Sequence, residues 1–346
     1  MLQDSQVPHT AAAGSTWRAS VHPYQHADTG RSLWQVASSF IPYLLLWYLM
    51  VLSLPYSYWL TLGLAVVAGG FLIRIFIILH DCGHGSFFRS ARANEIVGSI
   101  CGVFTLTPFY QWRHDHAMHH ATSSDLDRRG YGDVPTLTVA EYVRMPGWER
   151  FKYRTFRHPL LMLLAGPVYA FIVRQRVVLP ISGPRERRSV HLTNLALLVI
   201  IGAAALTIGI KAFLLIQGPV VFCAGFVAVW LFYCQHQFEG TYWRTHPEWN
   251  FEEAAIKGSS YFQLPRLLQC VTGNIGFHHV HHLCPRIPNY YLERVHLSHP
   301  RFQEATTLTI RSSLQAFTLK LWDEQRCELV SLRDLPAEYR HRQHRS

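Results

Sequence analysis

Histidine is concentrated at three places in this chain. His80 and His84 lie in HDCGH, His114, His116, His119 and His120 in HDHAMHH, and His278, His279, His281 and His282 in HHVHH. On a helix, residues i, i+3 and i+4 share a face, so an H-x-x-H-H spacing aims three imidazoles at one point and H-x-x-x-H aims two. The chain has 21 histidines in 346 residues, and random placement at that frequency gives about 0.08 H-x-x-H-H matches, so a single match could be coincidence. Two matches together with an H-x-x-x-H form a ligand pattern. Imidazole suits iron, copper and zinc alike, and one zinc takes about four ligands, so eight or more histidines imply two metals. The HExxH of zinc proteases is absent, and the three clusters contain none of the Glu-x-x-His pairs of soluble di-iron bundles. A histidine-rich dinuclear iron site is the simplest fit.

The elements that must position these clusters are membrane helices. Hydrophobic residues make up 49% of the chain and charged ones 16%, yet mean hydropathy is only +0.07, so very apolar segments alternate with very polar ones. Four segments, Trp34–Leu54, Tyr58–Leu79, Leu192–Ile210 and Gly218–Cys234, reach the roughly 20 apolar residues that a span needs. They form two hairpins, joined around Pro55 and around residues 211–218. Arg74, inside the second span, is expected to snorkel to the near interface. Two runs of about 15 residues, Ile96–Tyr110 and Pro159–Val173, are too short to span and are expected to be interfacial or re-entrant.

Charge orients the hairpins. Arg and Lys crowd segments 89–157, 174–188 and 244 onward and are nearly absent from the hairpin turns, so the basic segments and both termini are expected to be cytoplasmic. The net charge of +10 then reads as a surface facing anionic head groups. No nucleic-acid module accompanies it, so nucleic-acid binding is not expected. The clusters meet on one side only if the two short runs do not cross. The N-terminal stretch reads as a polar, partly disordered arm without the order of a secretory signal, and the tail EYRHRQHRS is expected to fray. The seven cysteines show no CxxC pair and no disulfide-like spacing.

HDCGHGSF, HDHAMHH, QHQFEGTYW and GNIGFHHVHH, in this order between paired membrane helices, resemble the membrane fatty acid desaturases. The run from YCQHQFEG through HHVHHLCPRIPNYYLE is similar to bacterial acyl-lipid desaturases of the delta-5 and delta-12 (omega-6) kind. The resemblance covers roughly residues 79–293. It implies His80 and His84, His116, His119 and His120, and His278, His281 and His282 as ligands of two irons, with His236 in QHQFEG as a ninth. Asp81, Asp115, Glu239 and Asn274 are candidates for orienting those ligands, while His114 and His279 are neighbours. His158, His246, His296, His299, His341 and His344 read as ordinary surface or interface histidines.

The activity implied is O2-dependent introduction of a cis double bond into a membrane-lipid acyl chain, without catalytic residues beyond the metal ligands. No nucleotide loop or haem-binding HPGG segment is present, so neither group is expected in this chain and electrons must come from an external donor, by resemblance a ferredoxin. Hydroxylation, carotenoid ketolation, metal transport and a membrane cytochrome are the rival readings. The fold expected is all-α and integral to a bacterial inner membrane. A polar arm (1–32), a desaturase domain (33–300) and a cytoplasmic C-terminal segment (301–346) divide it, with interfacial helices and a cap holding the site. Pro285 and Pro288 should end the third histidine helix.

Overall fold

A computed structural model describes residues 17–335; the frayed tail expected at the C-terminus lies outside them. Among these residues, four helices are long and apolar enough to cross a membrane. They are α1 (Thr29–Ser53), α2 (Tyr58–His84), α6 (Pro184–Thr207) and α7 (Ile210–His236), with α3 (Ala91–Phe104), α4 (Phe109–Thr122) and α5 (Pro159–Leu164) between the two pairs. Later come α8 (Phe251–Lys257), α9 (Arg266–Val271) and α10 (His278–Leu283). The chain is therefore an all-α membrane protein with a small cap. The cap carries two sheets: β1 (Leu137–Thr138) pairs parallel with β4 (Leu319–Asp323), which pairs antiparallel with β5 (Glu328–Ser331), and β2 (Tyr261–Phe262) pairs parallel with β3 (Thr307–Leu308).

Local chemistry starts and stops the spans. Asp28 accepts from the Arg31 N–H at 3.0 Å and Ser57 from the Leu60 N–H at 3.3 Å, each capping a helix start. Gly85, at φ 69°, supplies the left-handed residue that ends α2 immediately after His84. Tyr56 and Trp59, highly exposed at the first hairpin turn, suit the interface at the end of the spans remote from the histidines.

In lipid, helices gain little by hiding apolar surface from one another, so close packing must hold them. α2 meets α7 through Ala65, Ala68 and Gly69, and a Cβ at Gly69 would sit 3.0 Å from Cys223 Cβ. Ile75, Ile78 and Leu79 are fully buried between α2 and its neighbours.

The two short apolar runs are not spans. The first is α3, which folds back through residues 105–108 into α4; a Cβ at Gly102 would lie 2.4 Å from the Thr107 carbonyl oxygen, so only glycine lets the chain reverse there. The second breaks at Gly166–Pro167 into α5 and a π-helical turn, Val168–Val173, with Leu160, Leu161, Leu164 and Ile172 exposed on its surface.

Of the polar arm, the described part begins at Trp17, and Trp17 and Val21 are buried against Phe302, Val280 and Leu292 in the cap. The third histidine helix ends at Leu283, two residues before Pro285.

Gly102→Ala should lower stability by about 1–3 kcal/mol, the range for forcing a methyl into a filled core. Gly202→Ala, where a Cβ meets nothing within 4 Å, should be neutral. Thermal unfolding in detergent checks both.

Candidate metal centre

Both histidine-bearing spans end on the same side. His80 and His84 occupy the last turns of α2, and His236 is the last residue of α7. α4 lies across this end with His116, His119 and His120 turned inward and Arg113, His114 and Ala117 exposed, while α10 brings His278, His281 and His282, all buried. The helical spacings turn the histidines inward but do not aim each motif at a single point, and the nine histidines form two groups. His80, His84, His116, His120 and His281 make one, and His119, His236, His278 and His282 the other, with the ring nitrogens of each group within 4.8 Å of one another. The H-x-x-H-H motifs are split between groups: His119 leaves its neighbours His116 and His120, and His281 leaves His278 and His282.

Hydrogen bonding alone does not account for the contacts. His120 Nε2 lies 3.1 Å from His116 Nε2 and 3.0 Å from His281 Nε2. His236 Nε2 lies 3.1 Å from that of His119 and 3.0 Å from that of His278, which is itself 3.0 Å from His282 Nε2. A neutral imidazole nitrogen has either one N–H or one in-plane lone pair. Three of these nitrogens have two partners, and His84 Nε2 is buried with none. A cation shared by each group meets all of these demands. With ligand nitrogens about 2.1 Å from a metal, neighbours sit about 3.4 Å apart in a tetrahedron and about 3.0 Å apart at right angles. The closest nitrogen pairs of each group fall in the range of ligands around one metal, and an all-imidazole set suits iron, copper and zinc alike.

Partners on the outer nitrogens aim the rings. His80 Nδ1 donates to Asp81 at 3.0 Å, His119 Nδ1 to Asp133 at 2.7 Å and His236 Nδ1 to the Gly258 carbonyl at 3.2 Å. Because carboxylates and carbonyls accept, Nδ1 holds the proton and Nε2 offers its lone pair inward. Asp81 also accepts from the Asn289 backbone N–H (2.7 Å) and Nδ2 (2.8 Å), tying the first histidine cluster to the loop after the third. Asn274, at φ 57°, donates to the Asn289 carbonyl at 3.2 Å and so steadies the same loop.

Two other candidates stand elsewhere. Asp115 touches no histidine; it pairs with Arg174 at 2.9 Å, because its side chain leaves α4 on the flank facing residues 174–176. Glu239 is exposed and makes no hydrogen bond or ion pair among the described residues, since α7 ends before it and the backbone turns it outward. His114 is exposed, 4.0 Å from Glu186, and His279 is buried against His296 at 3.1 Å, outside both groups. Asp133, fourteen positions from the histidine it holds, had no local spacing to reveal it. The Gly258 carbonyl is a backbone group that side-chain motifs do not register.

Burial, reinforced by neighbouring histidines, holds His116, His120, His278, His281 and His282 well below the usual imidazole value. They are therefore neutral near pH 7, as metal ligation requires. In the unfolded chain the same rings protonate near the ordinary value of about 6.5. Below that pH the unfolded state binds more protons than the folded one, so stability is present above it and falls with pH.

Comparison with known proteins follows the same lines. Residues 57–313 match the family model described as fatty acid desaturase. A fatty acid desaturase of Bacillus subtilis is 47% identical over 90% of this chain and 89% of its own length. An sn-1 oleoyl-lipid 12-desaturase of Synechocystis is 26% identical over 72% of this chain and 70% of the relative. From the same organism, an sn-1 acyl-lipid omega-3 desaturase (ferredoxin) is 28% identical over 66% and 64%.

Two outcomes are expected. Metal-stripped protein should unfold at lower temperature at pH 5 than at pH 7.5, measured by intrinsic fluorescence in detergent. Asp133→Asn should weaken metal binding about 10- to 100-fold, the usual loss when a ligand's outer partner is removed, while Glu239→Gln leaves it unchanged; metal retained after dialysis against a chelator checks both.

Proposed function

The chain belongs to the fatty acid desaturase family, and from that premise we propose that it uses O2 to introduce a cis double bond into a membrane-lipid acyl chain at a histidine-ligated di-iron centre. The observation that carries this reading is the division of nine imidazoles into groups of five and four, each with its ring nitrogens close enough together to share one metal. His80, His84, His116, His120 and His281 would hold one iron and His119, His236, His278 and His282 the other. Bound there, iron would supply oxidising power from O2 and external electrons, which no side-chain base can match against an unactivated methylene.

The residues of this chain have three tasks. The first is to keep the ligand nitrogens deprotonated and aimed, which burial and the contacts of Asp81, Asp133 and Gly258 achieve. The second is to present the acyl chain. Leu72, Ile73 and Phe76 of α2, Phe171, and Val221 and Ala224 of α7 line an apolar slot. Phe76 lies one turn before His80 and meets Trp112 at 5.5 Å, and Trp112 stacks on His116 at 4.4 Å. An acyl chain in the slot would run along α2 towards the first histidine group, with its depth deciding which carbon pair is presented. The third task is exclusion of water, which the same aromatic wall serves.

Electrons would come from a ferredoxin, a donor supported by the name of one acyl-lipid relative. The concentration of Arg and Lys on the histidine side supports a cytoplasmic site in a bacterial inner membrane. The two hairpin turns, at residues 54–57 and at 208–209 in place of the 211–218 expected, lie at the opposite end of the spans, where Lys211 in the first turn of α7 is the nearest basic residue to the second turn.

Fatty-acid analysis by gas chromatography and mass spectrometry of a bacterial host tests the reading. With a working donor, wild-type protein should yield a new unsaturated chain, and the iron-loaded preparation should hold about two irons per chain. His281→Ala should abolish the product. A hydroxylated chain in place of an alkene, or fewer than one iron per chain, would overturn it.

A further inference from the structure

The short helix α9, Arg266–Val271, sits where a water-facing segment should not be. Its C-terminal end meets the spanning helix α2: a Cβ at Gly70 would lie 3.1 Å from Val271 Cγ1, and just past the helix one at Gly273 would lie 2.7 Å from Ile77 Cγ2. Between these points the Arg74 guanidinium donates to the Cys270 carbonyl and lies 3.1 Å from Cys270 Sγ, with its Nε 3.3 Å from Ser39 Oγ. Arg74, expected to snorkel to the near interface, is engaged by the C-terminal end of α9, where a cation is favoured by the helix dipole.

Depth follows from helix geometry. At about 1.5 Å per residue, a hydrocarbon layer of about 30 Å measured from Trp59 ends near Leu79. Contacts at Gly70, Arg74 and Ile77 then lie roughly 3–14 Å inside that layer. The face of α2 that α9 covers continues, one turn deeper, as Val66 and Val67, exposed at 61% and 51%. On its outer side α9 exposes Leu267 at 74% and Leu268 at 40%. These leucines extend a lipid-facing stripe of α2, and Arg74 has no carboxylate partner among the described residues.

We propose that residues 263–271 dip into the leaflet on the histidine side, with Leu267 and Leu268 among lipid acyl chains and Arg74 as the tether of the segment. Its occupant is bilayer lipid. The segment runs through Gly273 and Asn274 directly into the helix of His278, His281 and His282, so lipid contact bears on how that helix is seated. The inference rests on the membrane architecture and not on the reaction proposed above.

Site-directed spin labelling of full-length protein in nanodiscs of phosphatidylcholine and phosphatidylglycerol tests it. Leu267→Cys carries the nitroxide in a background with Cys223, Cys270 and Cys327 replaced by serine. Native Cys327, exposed in the cap hairpin, carries it in a second variant with Cys223 and Cys270 replaced. The label at 267 should be several-fold more accessible to O2 than to a nickel chelate, and the label at 327 should show the reverse. Nickel accessibility at 267 equal to that at 327 would overturn the proposal. So would exclusion of both reagents with spin–spin broadening, which would make the face a contact between two copies of the chain. Adding Arg74→Gln should sharpen the spectrum at 267 as the tether is lost; an unchanged line shape would remove Arg74 from the proposal.

Discussion

Nine imidazoles packed nitrogen to nitrogen away from water are the arrangement on which the rest of this molecule depends. Each ring gives up hydration, and seven of the nine turn an inward nitrogen onto another nitrogen in place of a complementary donor or acceptor. Such an assembly persists when the rings are neutral, correctly tautomeric and held rigidly from behind. The outer contacts of His80, His119 and His236 meet the second and third needs, and burial meets the first for His116, His120, His278, His281 and His282. Asp81 serves twice, fixing His80 and holding Asn289 in the loop beyond the third cluster, so the first and third histidine segments are bolted together by one carboxylate.

The membrane helices provide the rigidity. α2 and α7 approach closely through small residues, and their histidines sit where each helix leaves the bilayer. Position at a span end combines two properties: a low dielectric that keeps imidazole neutral, and proximity to an aqueous side from which metal and electrons can arrive. α4 and α10 close the site from above. The cap reinforces them, with Arg157 fully buried and donating to Gln237 Oε1 at 2.8 Å and to the Leu319 carbonyl at 3.1 Å, which joins the end of α7 to the C-terminal strands. Membrane anchoring, histidine geometry and cap packing are thus one mechanical unit. An apolar slot opens between α2 and α7 because close helix contact at Gly69 gives way to Leu72, Ile73 and Phe76 above it.

How much of this could be read in advance depended on the range of the interaction. Spans, hairpin pairing and the inward faces of the histidine helices follow from local periodicity, because 3.6 residues per turn and a 30 Å hydrocarbon layer act on contiguous sequence. That residues 96–110 and 159–173 are too short to span followed from length alone. Asp81 was legible because it adjoins its histidine. Asp115 adjoins one as well, yet its side chain departs to Arg174, since adjacency in a helix separates two side chains by about 100° of rotation.

The sequence by itself thus determined that this is a four-span membrane protein of the fatty acid desaturase family, with nine histidines at span ends and connecting helices. Tertiary structure decided how those histidines divide. A motif such as H-x-x-H-H describes one helix face, whereas a ligand group is assembled from three or four helices meeting at a point, so His119 parts from His116 and His281 from His278. It also decided that Asp133 and the Gly258 carbonyl stand behind the rings, and that Arg74 grips a segment bound for the third cluster. These contacts join residues far apart in the chain, and their geometry is set by helix crossings that no local spacing encodes.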